Sequence, residues 1–189
     1  MIKPFAERAH DKMREVLMDP DAQGPETHYY MIRGGKDKRN ITVWEPGTVA
    51  GEYIKSYGHY HVGKLDETYT ILAGEGYVLM QTRKAGSDGS PIDDEIDSFK
   101  AVKVKAGDSV FIPSGAGHLA VNTGNTWLVT SDDSPVDFGE KNAASLPGHA
   151  DYEPFKRLRG AAYYVIDRDG KPEFVKNPQY RNIPPVELS

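Results

Sequence analysis

The chain contains no cysteine. Disulfides and thiolate metal sites are therefore excluded, and any metal must be held by imidazole and carboxylate. Nor is there an excess of positive charge: 23 Lys and Arg stand against 28 Asp and Glu, a net charge of −5 over 189 residues. Nucleic acid is not the partner such a balance predicts. The basic run Lys36-Asp37-Lys38-Arg39 is short and mixed, and reads as a solvated hairpin tip. No apolar run approaches the roughly 20 residues needed to span a membrane. The opening MIKPFAERAH turns polar at once and carries no apolar signal stretch. A soluble, cytoplasmic protein without a membrane partner is expected.

What the sequence does have is punctuation: 19 glycines and 13 prolines among many short apolar runs. Residues 4–18 read as a short helix, with Phe5, Ala9, Met13, Val16 and Leu17 near helical spacing and Asp19-Pro20-Asp21 as its stop. From residue 27 the period becomes two. THYYMIR and RNITVWE read as a hairpin around Gly34-Gly35, and EYIKSYGHYH as one long strand. ETYTILAGEGYVLMQTR reads as a second hairpin turning at Gly74-Glu75-Gly76, and residues 85–95 as a mobile acidic loop. FKAVKVKAGDSVFIPSG, HLAVNT and TWLVTSD supply further strands, and AAYYVIDRDGKPEFVKN a closing hairpin. About ten short strands with regular turns predict an all-β fold, a small antiparallel barrel or jelly roll. No internal repeat appears; residues 1–26 are expected to form a helical arm and 27–189 a single barrel domain.

One stretch asks for chemistry. In GHYHVGKLDETY, His59 and His61 are two apart and share a face of a strand, and Glu67 follows six residues later. A lone His-x-His is often a surface pair. Here GDSVFIPSGAGHLAVN adds His118 at the start of another strand, after a turn shaped by Pro113 and Gly115. Three neutral imidazoles and one carboxylate meeting in a barrel mouth suit Fe(II), Mn(II), Ni(II), Co(II) or Zn(II), with room left for water or substrate. Asp66 competes with its neighbour Glu67 for the carboxylate position. Glu67 is preferred, because a one-residue slip would turn the side chain to the other face.

These motifs resemble the cupins. Gly107, Pro113, Gly115, His118 and Asn122 fit the second cupin motif at every position. In the first, His59-x-His61 and Glu67-x6-Gly74 fit, the gap between His61 and Glu67 is longer, and Tyr53 stands where a glycine is usual. Within the cupins, Gly58–His61, Lys64–Asp66, Glu67, Tyr69 and Gly74–Gly76 are similar to the archaeal-type glucose-6-phosphate isomerases, as are TVWEPG (Thr42–Gly47) and NPQY (Asn177–Tyr180). The helix at 4–18, the loop at 85–95 and the stretch 132–148 match poorly.

The resemblance implies a cupin barrel, a homodimer, one divalent metal per subunit with Fe2+ the first candidate, and isomerisation of a sugar phosphate, glucose 6-phosphate with fructose 6-phosphate. It implies His59, His61, Glu67 and His118 as metal ligands and Glu67 as the proton-transferring group. It offers His149, of GHADYE, as a residue reaching over the substrate, with a solvated loop histidine as the plain alternative. Thr42, Ser56 and the Gly58 backbone are candidate phosphate donors, and Tyr69 and Tyr152 candidate cavity residues; ordinary strand or core packing is the alternative for each. His10 and His28 lie in no motif and read as structural or exposed. The N-terminal segment and the AAYYVI strand are candidates to cross into a partner subunit. Two other functions fit three histidines and a glutamate: a cupin dioxygenase or oxalate-degrading enzyme, and a sugar-sensing cupin without turnover.

Overall fold

The computed structural model describes residues 6–33, 40–135 and 149–189. Lys36–Arg39 and most of the 132–148 stretch therefore lie outside the described residues. The chain opens with β1 (Ala6–Ala9), α1 (His10–Met13) and a 3-10 turn (Arg14–Val16). Then come β2 (Thr27–Ile32), β3 (Asn40–Trp44), β4 (Thr48–Val49), β5 (Glu52–Tyr53), β6 (Tyr60–His61), β7 (Glu67–Ala73) and β8 (Glu75–Ala85). β9 (Pro91–Lys105), β10 (Ser109–Ile112), β11 (Gly117–Asn122) and β12 (Leu128–Asp132) complete the central part. The C-terminal part holds β13 (Ala150–Asp151), α2 (Glu153–Arg157), β14 (Tyr163–Arg168), β15 (Lys171–Lys176) and β16 (Glu187–Leu188).

Two sheets form the walls. One runs β1-β2-β3-β12-β7-β10, the other β11-β8-β9-β16. Alternation decides which side of each strand is buried: Asn40, Thr42 and Trp44 of β3 face inward, while Ile41 and Val43 between them are only half-buried. Trp44 and Ile71 from one wall, and Val78, Leu79, Phe99 and Leu119 from the other, join a single apolar core. The expected all-β cupin-like barrel is what the chain builds.

Several local expectations give way. The N-terminal helix is shorter than 4–18: residues 6–9 extend and pair with β2, because β2 would otherwise be an uncovered edge. Within the chain, β1 pairs with β2 at the edge of its sheet, and β14 lies between β15 and β5. EYIKSYGHYH is not one strand. Gly58 sits at φ +84°, and a Cβ there would lie 2.4 Å from the Phe155 ring, so the chain breaks between β5 and β6 as α2 packs down. ETYTILAGEGYVLMQTR is not a hairpin either. Gly74, at φ +79° and pressed against the Trp127 carbonyl, hands the chain from the first wall to the second, so β7 and β8 lie in different sheets.

The 85–95 stretch is no loose loop. β8 pairs with β9 as far as Ala85↔Pro91, leaving a tip of residues 86–90. Its acids are paired: Asp93 with Arg83 and Arg157, and Glu95 with Lys84 and with Arg181 at 2.5 Å.

Candidate metal centre

Local packing aims the first two histidines. Tyr60, between them, points the other way and is buried, its hydroxyl accepting a hydrogen bond from Gln81 Nε2 at 3.0 Å. Gly117 lets the Tyr60 ring pass, since a Cβ there would sit 2.4 Å from it. With Tyr60 fixed, His59 and His61 share the opposite side. His59 exchanges both backbone hydrogen bonds with His118 of β11, at 3.2 and 2.9 Å. β13 clamps β6 from the outer side, through Ala150↔His61.

The four expected ligand residues meet. One donor atom from each of His59, His61, Glu67 and His118 lies within 4.8 Å of the other three. Metal–ligand bonds of about 2.0–2.2 Å place donors roughly 3–4.4 Å apart, so the spacing suits a single ion. The His59 ring lies 4.9 Å from that of His61 and 4.5 Å from that of His118.

Hydrogen-bond geometry gives an independent test of fit. His118 Nδ1 faces the Ala116 carbonyl at 3.2 Å, and a carbonyl only accepts, so Nδ1 carries the proton and neutral Nε2 is bare. That Nε2 is buried, has no hydrogen-bond partner, and lies 2.9 Å from Glu67 Oε2. His61 Nε2 reaches the same oxygen at 3.0 Å. A bare imidazole lone pair facing a carboxylate oxygen needs a positive species between them. The residues present therefore fit a divalent cation, and the Ala116 carbonyl acts as the outer partner that fixes the His118 tautomer.

The electrostatics agree. Burial alone would raise the Glu67 carboxyl; without a cation, proton-bearing His118 and His61 hydrogen-bond to it and hold it well below the usual carboxylate range, and a cation takes that role between neutral imidazoles. Burial, then the neighbouring imidazoles His118 and His61, push His59 well below its ordinary value, toward the neutral form a ligand requires. Glu67 rather than Asp66 is the buried carboxylate of the cluster: Asp66 is exposed and accepts the Ser114 N–H at 2.8 Å.

The remaining expected site residues divide. Tyr69 is buried with its ring edge-on to His118 at 5.7 Å, and Tyr152 lies 5.5 Å from His59. Thr42 faces inward on β3, and its Oγ1 accepts from Arg33 Nη1 at 3.3 Å. Ser56 is turned to β11, where its hydroxyl accepts the Ala120 N–H at 3.0 Å. Gly58 is buried beneath Phe155. His149 touches the site through its backbone, its carbonyl accepting the Val62 N–H at 2.8 Å; among the described residues its imidazole makes no hydrogen bond or ring contact. Tyr163 and Tyr164 are core residues whose hydroxyls donate to the Pro184 and Arg159 carbonyls. The NPQY turn is a brace: Asn177 donates to the Leu158 and Ala161 carbonyls, and Tyr180 to that of Gly160.

Three residues near the site went unnoticed in the sequence. Asp132 is buried beside Tyr69 in register, held by Asn40 Nδ2 at 2.7 Å, and burial with Glu67 pushes its carboxyl up. Arg33 extends from β2, and its charge is felt at His59, Tyr69, Asp132 and Tyr152. Arg8 lies over the Tyr152 ring at 5.6 Å and donates to the Tyr29 hydroxyl. The available signal was alternation: Arg33 shares the face of Tyr29 and Met31, and Asp132 that of Leu128 and Thr130.

Comparison with known proteins agrees with the geometry. The family profile described as glucose-6-phosphate isomerase (GPI) matches residues 16–182. The chain is 31% identical over 141 residues to the glucose-6-phosphate isomerase of Thermococcus gammatolerans, covering 74% of this chain and 62% of that protein. It is 28% identical over 142 residues to that of Pyrococcus abyssi, covering 75% and 63%. The chain thus spans less than two thirds of the length of these curated relatives. Among solved structures, a predicted oxalate decarboxylase from Thermotoga maritima is similar over 55% of this chain and 76% of its own, with 24% identity and a TM-score of 0.36. With its profile matched across both motifs and through the NPQY turn, the chain belongs to the glucose-6-phosphate isomerase family.

Proposed function

We propose that the protein interconverts glucose 6-phosphate and fructose 6-phosphate at a single divalent-metal centre held by His59, His61, Glu67 and His118. The observation that carries this reading is the convergence of His61 and the bare His118 Nε2 on one Glu67 oxygen, inside a chain of the isomerase family. When bound, the cation, Fe2+ first and Mn2+, Ni2+, Co2+ or Zn2+ otherwise, supplies Lewis-acid polarisation of the sugar carbonyl.

The chain's own groups do the rest. Glu67 is held ionised, and its carboxylate takes the proton from C1 of the ketose and returns it at C2, while the hydroxyl proton passes from O1 to O2. Tyr152, fixed beside His59, and Tyr69, beside His118, wall the cavity and exclude water. His149 assists ring opening by moving a proton at the ring oxygen. Thr42 offers its hydroxyl to the phosphate, with Ser56 and the Gly58 backbone as further donors.

Chelator-stripped protein with metals restored in turn, supplied with fructose 6-phosphate in D2O, tests the reading. Glucose 6-phosphate carrying deuterium at C2 is expected, with turnover about a hundredfold or more lower in Glu67→Gln. Turnover with no deuterium uptake would instead indicate direct hydride transfer from C1 to C2. Metal binding with no sugar-phosphate turnover would defeat the isomerase reading.

A homodimer in the cytoplasm is part of the same proposal. Tyr30, Val43 and Val129 stand side by side on the outward face of the first wall, with exposed Leu72 on the next strand. Among the described residues, no helix is long and apolar enough to cross a membrane. Light scattering should give twice the chain mass, and Leu72→Glu should shift it toward the monomer; a monomeric wild type would remove the dimer.

A further inference from the structure

Arg33 ends β2 on the inward side. Tyr29 and Met31 are buried and alternate with half-buried Tyr30 and Ile32, so the next inward position is Arg33. Register carries that row across the sheet. Ile32 faces Ile41, which brings Arg33 level with Asn40; Asn40 faces Asp132, and Asp132 faces Tyr69. Glu67 is the next inward residue of β7, about 6.7 Å further along the strand. Arg33 therefore projects into the same mouth as the metal centre, from the opposite end of the sheet.

Its hydrogen bonding is one-sided. Nη1 alone donates to the Ile32 carbonyl at 3.2 Å, the Ile41 carbonyl at 3.4 Å and Thr42 Oγ1 at 3.3 Å. Among the described residues, Nε and Nη2 donate to nothing and no carboxylate pairs with the guanidinium. Asp132, the acid in its row, is committed elsewhere: Asn40 Nδ2 and the Ser134 N–H and hydroxyl all converge on its Oδ1. A half-buried guanidinium in the inward row of the first wall, with two nitrogens that make no hydrogen bond among the described residues, offers a planar fork that fits phosphate oxygens.

We infer that Arg33, with the Thr42 hydroxyl beside it, binds the phosphate dianion of the substrate. The inference rests on the sugar-phosphate reading above for its ligand, and its test separates the two.

The test uses Arg33→Gln, which keeps amide donors but removes the charge, and Arg33→Lys, which keeps the charge. Binding of inorganic phosphate to chelator-stripped protein is measured by calorimetry, and KM and kcat for fructose 6-phosphate on metal-restored protein. In Arg33→Gln, phosphate affinity should fall and KM rise about ten- to a hundredfold, the loss typical of a charge-assisted pair, with kcat changing much less. Arg33→Lys should recover part of both. Wild-type protein that binds phosphate through Arg33 yet turns over no sugar phosphate would support this site while removing the isomerase. Unchanged phosphate affinity and KM in Arg33→Gln, in a folded enzyme that still isomerises, would overturn the inference and leave the isomerase standing.

Discussion

The barrel buries two sets of histidines, and they behave differently. His10 and His28 stack at 5.2 Å, with His10 Nδ1 2.9 Å from His28 Nε2 and His10 Nε2 3.0 Å from the Ala22 carbonyl. Among the described residues no carboxylate joins them. One imidazole is saturated by the other and by the backbone, and the pair locks α1 and residues 22–24 onto β2. His59, His61 and His118 instead turn their nitrogens toward one another and toward Glu67. Burial is common to both sets. His28 Nδ1, like His118 Nε2, is buried without a hydrogen-bond partner among the described residues, so convergence on a carboxylate oxygen is what separates a candidate ligand set from a structural pair.

The largest effect that sharpens this contrast is His118→Ala. It should abolish metal binding and cut turnover by more than the roughly 10–100-fold that loss of an outer-shell partner costs. His28→Leu should keep one metal per chain, checked by elemental analysis. Loss of metal in both variants would erase the distinction.

Next comes Lys55, which lies on the structural side. Its ammonium is buried, pairs with Glu52 and donates to the Val16 carbonyl at 2.7 Å, and its charge helps hold His28 neutral. Lys55→Met strands the buried Glu52 carboxylate. It should cost about 3–5 kcal/mol of stability in denaturant melts without displacing metal.

A smaller effect is pH-dependent. Burial, then His10 and Lys55, lower His28 to about 4 from an ordinary 6.5. The unfolded chain therefore binds the extra proton over that window, so His28's share of stability is complete above pH 6.5 and is lost as pH falls toward 4. The loss should be on the order of 3 kcal/mol. His28→Leu should flatten that part of the stability profile, and an equally steep decline in the variant would contradict the assignment.

The smallest change is at Asp66. Asp66→Asn should leave metal content intact and cost about 1 kcal/mol or less through its bond to the Ser114 N–H. Loss of metal here would hand the ligand position from Glu67 to its neighbour.

How much of this was legible in the sequence depends on the kind of signal. The candidate ligand cluster was readable because alternation and short spacing determine which side chains share a face, and His118 followed a turn built from Pro113 and Gly115. Strand identity was readable for the same reason in β2, β3, β11 and β12, but not in β1 or the start of β9. Sheet membership was not. The turn at Gly74 looks like a hairpin in sequence, and only the close approach to the Trp127 backbone, a contact more than 50 residues away, sends β8 to the other wall. The 85–95 stretch looked like a loop because its charges have no visible partners in sequence; Arg157 and Arg181, distant in the chain, provide them. The His10–His28 pair and the Arg33–Thr42 contact are likewise products of strand register rather than of local pattern.

The central claim is tested most directly by titrating Fe(II) or Mn(II) into chelator-stripped protein under argon while fructose 6-phosphate turnover is followed through oxidation of the glucose 6-phosphate formed. The account predicts turnover that rises with added metal and saturates at one equivalent per chain, with neither binding nor turnover in His118→Ala. Full turnover in the stripped protein, or saturation by metal with no glucose 6-phosphate formed, would contradict it.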